Sequence, residues 1–168
     1  MLDGNSTITK NLFDVVRILF PVERYPRFFE TGSGKGTKAW VGAGYSVTSV
    51  EHDEKWLNFV EGSKYIHAPL AGKYYDREII KEVICCEFFD IWLLDGPPGH
   101  ISNRVLICDI FGDVAFLEPR VFVVDDCHRE DGRLISQYLL KRYPTALMMT
   151  VPNTDPKGYR HDANIFVL

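Results

Sequence analysis

A glycine-rich run bracketed by an acid is the part of this 168-residue chain best suited to chemistry. It reads Glu30-Thr31-Gly32-Ser33-Gly34-Lys35-Gly36-Thr37. Glycines at 32, 34 and 36 permit a tight turn and let a ligand reach the backbone. Free amides at the start of the helix that follows favour electron-rich ligand atoms. More acids stand downstream: Glu51 in Ser49-Val50-Glu51-His52-Asp53, Asp95 in Asp95-Gly96-Pro97-Pro98-Gly99-His100, and Asp125-Asp126 before Cys127-His128-Arg129. Carboxylates can accept from ribose hydroxyls, pair with an ammonium, bind a hard cation or take a proton. His100 and His128 are candidate general bases, each readable equally as a solvated or structural histidine. Glu51 also reads as an ordinary acid at a helix start, and Asp95 as a loop cap.

Elements must position these residues. Residues 7–20 place Leu12, Val15, Val16 and Leu19 at helical spacing, closed by Pro21. Phe28 to Thr31 reads as a strand, 37–43 as a short helix ended by Gly42 and Gly44, and 46–50 as a β-branched strand. A helix over 53–61, a weak strand at Tyr65-Ile66 and a helix over 76–87 follow. The apolar runs 88–94 and 120–124 are strands covered on both faces. Helices are predicted over 103–117 and 131–142, and the last strands over 145–151 and 163–168. This alternation predicts an α/β fold with a mostly parallel sheet and helices on both faces. One domain is expected over 1–168, with a helix and linker over 1–26 and a cofactor-binding core over 27–168. Ligands bind beyond the carboxyl ends of such strands. Glu30 to Thr37, Glu51, Asp95 and Asp125-Asp126 all fall there.

Hydrophobic residues at 46% and charged residues at 25% describe a globular chain, not a disordered one. The 19 basic and 23 acidic side chains give net −4, which argues against nucleic acid or an anionic membrane as partner. The four cysteines form no CxxC pair and read as reduced thiols. No segment approaches the ~20 apolar residues that cross a bilayer. The first ten residues lack a signal-peptide core, so a cytoplasmic protein is expected. Nothing in the sequence sets the oligomeric state.

Two nucleotide-binding patterns come close. GSGKGT, from Gly32 to Thr37, looks like the phosphate loop of adenylate-kinase-type kinases. The pattern G-x-x-x-x-G-K-S/T then meets Phe29 at its first glycine and Gly36 after the lysine, though those kinases also carry glycine there. Glu30 would bring a carboxylate towards the phosphate nest. The dinucleotide pattern G-x-G-x-x-G meets Thr37 at its third glycine. E-x-G-x-G-x-G with an acid at the next strand end fits better.

Over most of its length the chain resembles the class I S-adenosylmethionine (SAM)-dependent methyltransferases. Glu30 with Gly32, Gly34 and Gly36 matches their first motif, Glu51 their ribose-binding acid, and Asp95 the acid after the fourth strand. Arg120 to Asp126 matches the fifth strand and its acidic end. The resemblance implies a Rossmann-like methyltransferase fold with a seven-stranded sheet of order 3-2-1-4-5-7-6 and an antiparallel last strand. It implies a cofactor site of Glu30, Gly32, Ser33, Gly34, Gly36, Thr37, Glu51, His52, His67 and Asp95. Within it Glu30 would meet the methionine ammonium, Glu51 the ribose, and His52, Asp53, His67 and Trp56 would border adenine. Asp95, Asp125 and Asp126 are similar to the acids by which catechol-type O-methyltransferases hold Mg²⁺, with Asp126 where those enzymes carry Asn or Asp. The metal-free alternative takes Asp95, His100, Asp126 or His128 as the group that accepts the proton. The D/N-P-P-aromatic motif of nucleic-acid amino methyltransferases is interrupted by Gly96 and has Gly99 in place of its aromatic. The implied reaction is in-line transfer of the sulfonium methyl to a substrate oxygen or nitrogen, with O-methylation of a small-molecule or glycan-like substrate expected. Substrate contacts are expected from the 96–104, 126–132 and 152–162 loops. A nucleotide kinase and an inactive cofactor-fold module are the alternatives.

Overall fold

A computed structural model describes residues 9–24, 26–152 and 160–168. In chain order it contains α1 (Lys10–Leu19), β1 (Arg27–Thr31), α2 (Lys35–Gly42), β2 (Ser46–Glu51) and β3 (Lys64–His67). A small hairpin of β4 (Leu70–Ala71) and β5 (Tyr74–Tyr75) leads into α3 (Arg77–Cys86) and β6 (Ile91–Leu94). The chain ends with α4 (Leu106–Asp113), β7 (Val121–Val124), α5 (Glu130–Arg142), β8 (Leu147–Val151) and β9 (Ala163–Val167).

Seven of these strands form one sheet in the order β3-β2-β1-β6-β7-β9-β8. The first five run parallel, and β9 runs antiparallel between β7 and β8. With the β4–β5 hairpin set aside, this is the order 3-2-1-4-5-7-6. The period-two geometry of a strand sorts its apolar residues onto two faces. Phe29, Trp92, Leu94 and Phe122 pack with residues of α3, α4 and α5. Phe28, Ile91, Leu93 and Val123 pack on the other face with Leu12 and Val16 of α1 and Trp40 of α2. Both faces are covered, which is why β6 and β7 are apolar at every position.

Helix starts follow capping chemistry. The Thr9 hydroxyl accepts the Leu12 amide, and the Asp76 carboxylate accepts the amides of Glu78 and Ile79. Each such cap is worth about 1 kcal/mol. Other expectations change. The helix expected over 53–61 is a single turn of 3₁₀ helix, Glu54–Trp56. Asn58 is left-handed, with φ 58°, and the Val60 amide donates to the Tyr65 hydroxyl, so helical bonding stops there. The run 88–94 becomes strand only at Ile91, because the Asp90 carboxylate first accepts the Arg27 amide. The helix expected over 103–117 is shortened to Leu106–Asp113. Asn103 Oδ1 accepts the Val105 amide in a turn ahead of it, and Val114 is extended behind it.

Candidate active site

The loop after β1 turns at Gly32, whose φ of 86° is costly for any residue with a Cβ. Three of its amides are already engaged. Gly32 donates to the Val50 carbonyl at 2.8 Å, Ser33 to Glu51 Oε2 at 2.8 Å, and Gly34 to the Thr37 hydroxyl at 3.0 Å. Glu51 also accepts the amides of His52 and Asp53 on Oε1, at 2.6 and 2.8 Å. This buried carboxylate therefore ties the end of β2 to the loop after β1. Glu30 is buried beneath the same loop. Its Oε1 accepts the hydroxyls of Thr37 and Ser49, each at 2.5 Å. Burial outweighs those two bonds and, with Asp95 and Glu51 nearby, pushes the Glu30 carboxyl up to about 7.

The loop after β6 is fastened to the same place. Thr31 Oγ1 accepts the amides of Asp95 and Gly96, at 3.2 and 3.1 Å. A Cβ on Gly96 would lie 2.3 Å from the Tyr75 hydroxyl and 2.7 Å from the Gly32 nitrogen. The glycine that interrupts the D-P-P pattern thus lets two strand-end loops touch. Tyr75 carried no sequence signal for this role.

Beyond these strand ends lies a cleft of about 630 Å³. Its floor is the loop from Gly32 to Thr37 with Glu30. Glu51, His52, Asp53 and Trp56 form one wall, and Asp95, His100 and Asp126 stand on the other side. A second cavity of about 640 Å³ adjoins it and shares Gly99, His100 and Arg129 with it. Ser102, Asn103, Glu130 and Asp131 make that cavity polar, and Leu134 and Val105 supply an apolar side.

Three expected site residues stand apart from the cleft. The ring of His67 lies at the end of β3 with Nε2 3.2 Å from the His52 carbonyl. Asp125 is buried, and burial followed by repulsion from Asp95 and Asp126 drives its pKa well up. His128 packs against His161 instead, their ring centroids 5.0 Å apart. Of the 152–162 loop, residues 153–159 lie outside the described residues.

The cleft residue that the sequence hid is Arg104. It is only 6% exposed, and its Nε donates to the Pro97 carbonyl at 2.9 Å. Its two terminal nitrogens stand 3.5 Å from Asp95 Oδ1 and 3.3 Å from Asp126 Oδ2, and Asp131 lies 3.9 Å from Nε. Arg129 adds a contact of 3.1 Å to the same Asp126 oxygen. Burial alone would lower the Arg104 pKa, but the surrounding acids raise it, so the charge stays. The expected Mg²⁺ would need Asp95, Asp125 and Asp126 around one space. A guanidinium stands between the first and third, and the second lies outside the cleft. These residues do not fit a Mg²⁺ ion.

No protein-family model matches the chain, and no curated protein sequence matches it. Solved structures do. An O-methyltransferase from Bacillus cereus in complex with SAH aligns with a TM-score of 0.65 at 16% identity, over 96% of this chain and 82% of that one. TomG, an O-methyltransferase from Streptomyces achromogenes involved in tomaymycin synthesis and crystallised with SAM, aligns with a TM-score of 0.62 at 14% identity, over 95% and 81%. The METTL16 methyltransferase domain gives 0.61 at 14% identity, over 92% and 65%. The chain has the class I methyltransferase fold. In this methyltransferase fold the acid-lined cleft sits beyond the carboxyl ends of β1, β2, β6 and β7, where open α/β sheets bind ligands. Among the described residues, no helix is long and apolar enough to cross a membrane.

Proposed function

We propose that the protein transfers the methyl group of SAM to a hydroxyl of a small-molecule or glycan-like substrate. The observation that carries this reading is the wall of Gly99, His100 and Arg129 shared by an acid-lined cleft and a second, polar cavity. The carboxyl groups of Glu30, Glu51 and Asp95 line the cleft. They suit a ligand with a sulfonium, an ammonium and no phosphate. A phosphate would instead meet loop amides already spent on Val50, Glu51 and Thr37. This disfavours the nucleotide kinase. Bound SAM supplies a methyl group activated by a positively charged sulfur. Glu51 accepts from the ribose, Glu30 faces the ammonium, and Trp56 borders the adenine. The second cavity takes the substrate, its polar groups meeting hydroxyls and Leu134 meeting the C–H face of a ring. His100, at the junction, receives the hydroxyl proton. Asp126 is a poorer base, because Arg104 and Arg129 already hold its carboxylate. Most of the rate then comes from alignment of the two bound partners.

The test is release of demethylated cofactor from SAM in the presence of a panel of polyols and oligosaccharides. His100→Gln should lower kcat by about 10²–10⁴-fold, the usual contribution of a general base, with SAM affinity nearly unchanged. An unchanged kcat removes His100 from the chemistry. SAM binding with no transfer to any acceptor identifies an inactive module.

A further inference from the structure

Asp126 lines the cleft, and around it stands a second group whose histidines, His128 and His161, do not. Asp126 follows β7 with φ 55°, a left-handed conformation uncommon for a residue with a side chain and frequent at functional sites. Its two oxygens have different neighbours. Oδ2 faces the guanidinium groups of Arg129 and Arg104, at 3.1 and 3.3 Å. Oδ1 faces two imidazoles, with His161 Nδ1 at 3.4 Å and His128 Nδ1 at 3.8 Å. The rings stand edge to face, 77° apart. One donor atom from each of the three residues lies within 4.8 Å of the others. His128 Nδ1 is buried and has no hydrogen-bond partner among the described residues.

We propose that Asp126, His128 and His161 bind a first-row divalent transition metal of the Zn²⁺ class. Two imidazole nitrogens and one carboxylate oxygen are ligands for Zn²⁺ and its neighbours, whereas Mg²⁺ prefers oxygen throughout. Zinc holds such ligands at about 2.0–2.2 Å, so they stand about 3.0–3.5 Å apart around the ion. The two carboxylate–imidazole separations, 3.4 and 3.8 Å, are within a few tenths of an ångström of that spacing, and all three donor atoms already lie within 4.8 Å of one another. The buried, unpartnered nitrogen of His128 gains a partner in the ion. Arg104 and Arg129 steady the far oxygen of Asp126, as hydrogen-bonded neighbours steady ligating carboxylates elsewhere. Three protein ligands leave a tetrahedral ion one open position, the pattern of a working site. This site shares only Asp126 with the Asp95–Asp125–Asp126 set and does not depend on methyl transfer.

The experiment is calorimetric titration of the chelator-stripped full chain with Zn²⁺, paired with the visible spectrum of the Co²⁺-loaded protein. One Zn²⁺ should bind per chain with a Kd of about 1 μM or below. Co²⁺ should give tetrahedral d–d bands with no thiolate charge transfer. His128→Ala and His161→Ala should each weaken Zn²⁺ binding by about 100-fold, while Cys86→Ser leaves it unchanged. Circular dichroism of the metal-free variants checks that they fold. If they do not, the Co²⁺ spectrum of the wild-type chain decides alone. No binding up to about 0.1 mM Zn²⁺, a thiolate band, or affinity indifferent to both histidines in folded variants overturns the site.

Discussion

Burial holds the Glu30 carboxyl at about 7, against an ordinary value of 4.5, so the group keeps a proton that a cation beside it would expel. SAM binding should therefore release a proton below about pH 7, and affinity should climb by up to about tenfold per unit between roughly pH 5.5 and 7. Calorimetry in buffers of different ionisation enthalpy reads this directly. A buffer-independent heat and a flat affinity would contradict it. The same shift has a sign for stability. Between pH 4.5 and about 7 the folded chain binds the proton and the unfolded chain does not. Stability is then fully present below 4.5 and falls, by roughly 3 kcal/mol, as pH rises to 7. Glu30→Gln should lose that portion of the pH dependence in urea unfolding and bind SAM more weakly. Glu30, Glu51 and Asp95 were legible in the sequence because each lies at or next to the carboxyl end of a strand on one sheet edge. Arg104 was not, since it sits in a loop with no motif and its partners come from other loops. Nor was the pairing of His128 with His161, which depends on β9 returning beside β7.

Among the elements, the loops after β1 and β6 form one unit with β5 beneath them. Gly96 meets both the Tyr75 hydroxyl and the Gly32 backbone, so Gly96→Ala has no room without moving a loop. Overpacking of this kind costs about 1–3 kcal/mol. The variant should show a lowered Tm and a loss of SAM affinity larger than that of a surface control such as Lys141→Ala. An unchanged Tm and affinity would show that the two loops are not a tight unit. Strands and capped helices were legible because burial on both faces and side-chain caps leave strong local patterns. The β4–β5 hairpin was not read, although its two-residue turn carries Gly72 at φ 74°. Two-residue strands are too short to show alternation. The 53–61 segment misled because Trp56, Phe59 and Val60 have helical spacing, while the left-handed Asn58 breaks the backbone pattern.

At the scale of the whole molecule, two apolar layers clamp the sheet, and Trp92 lies fully buried in one of them against Phe29, Phe111 and Phe122. Trp92→Ala should cost about 3–5 kcal/mol by urea unfolding. A loss below about 1 kcal/mol would place the centre of the core elsewhere. The sheet order was legible only through the resemblance to class I methyltransferases, which the strand-end acids and the terminal strand pair carry. The substrate was not, because the second cavity draws Gly99 to Val105 from one loop and Arg129 to Leu134 from the start of α5, each without a motif of its own. The central claim is that the cleft accepts a sulfonium nucleoside and refuses a phosphate. It is tested most directly by titrating the full chain with SAM and, separately, with ATP–Mg²⁺ in a calorimeter. The structure predicts one SAM bound per chain with a Kd of about 100 μM or below, and no heat from ATP–Mg²⁺. Binding of ATP–Mg²⁺ that Lys35→Ala abolishes, with SAM silent, would contradict it.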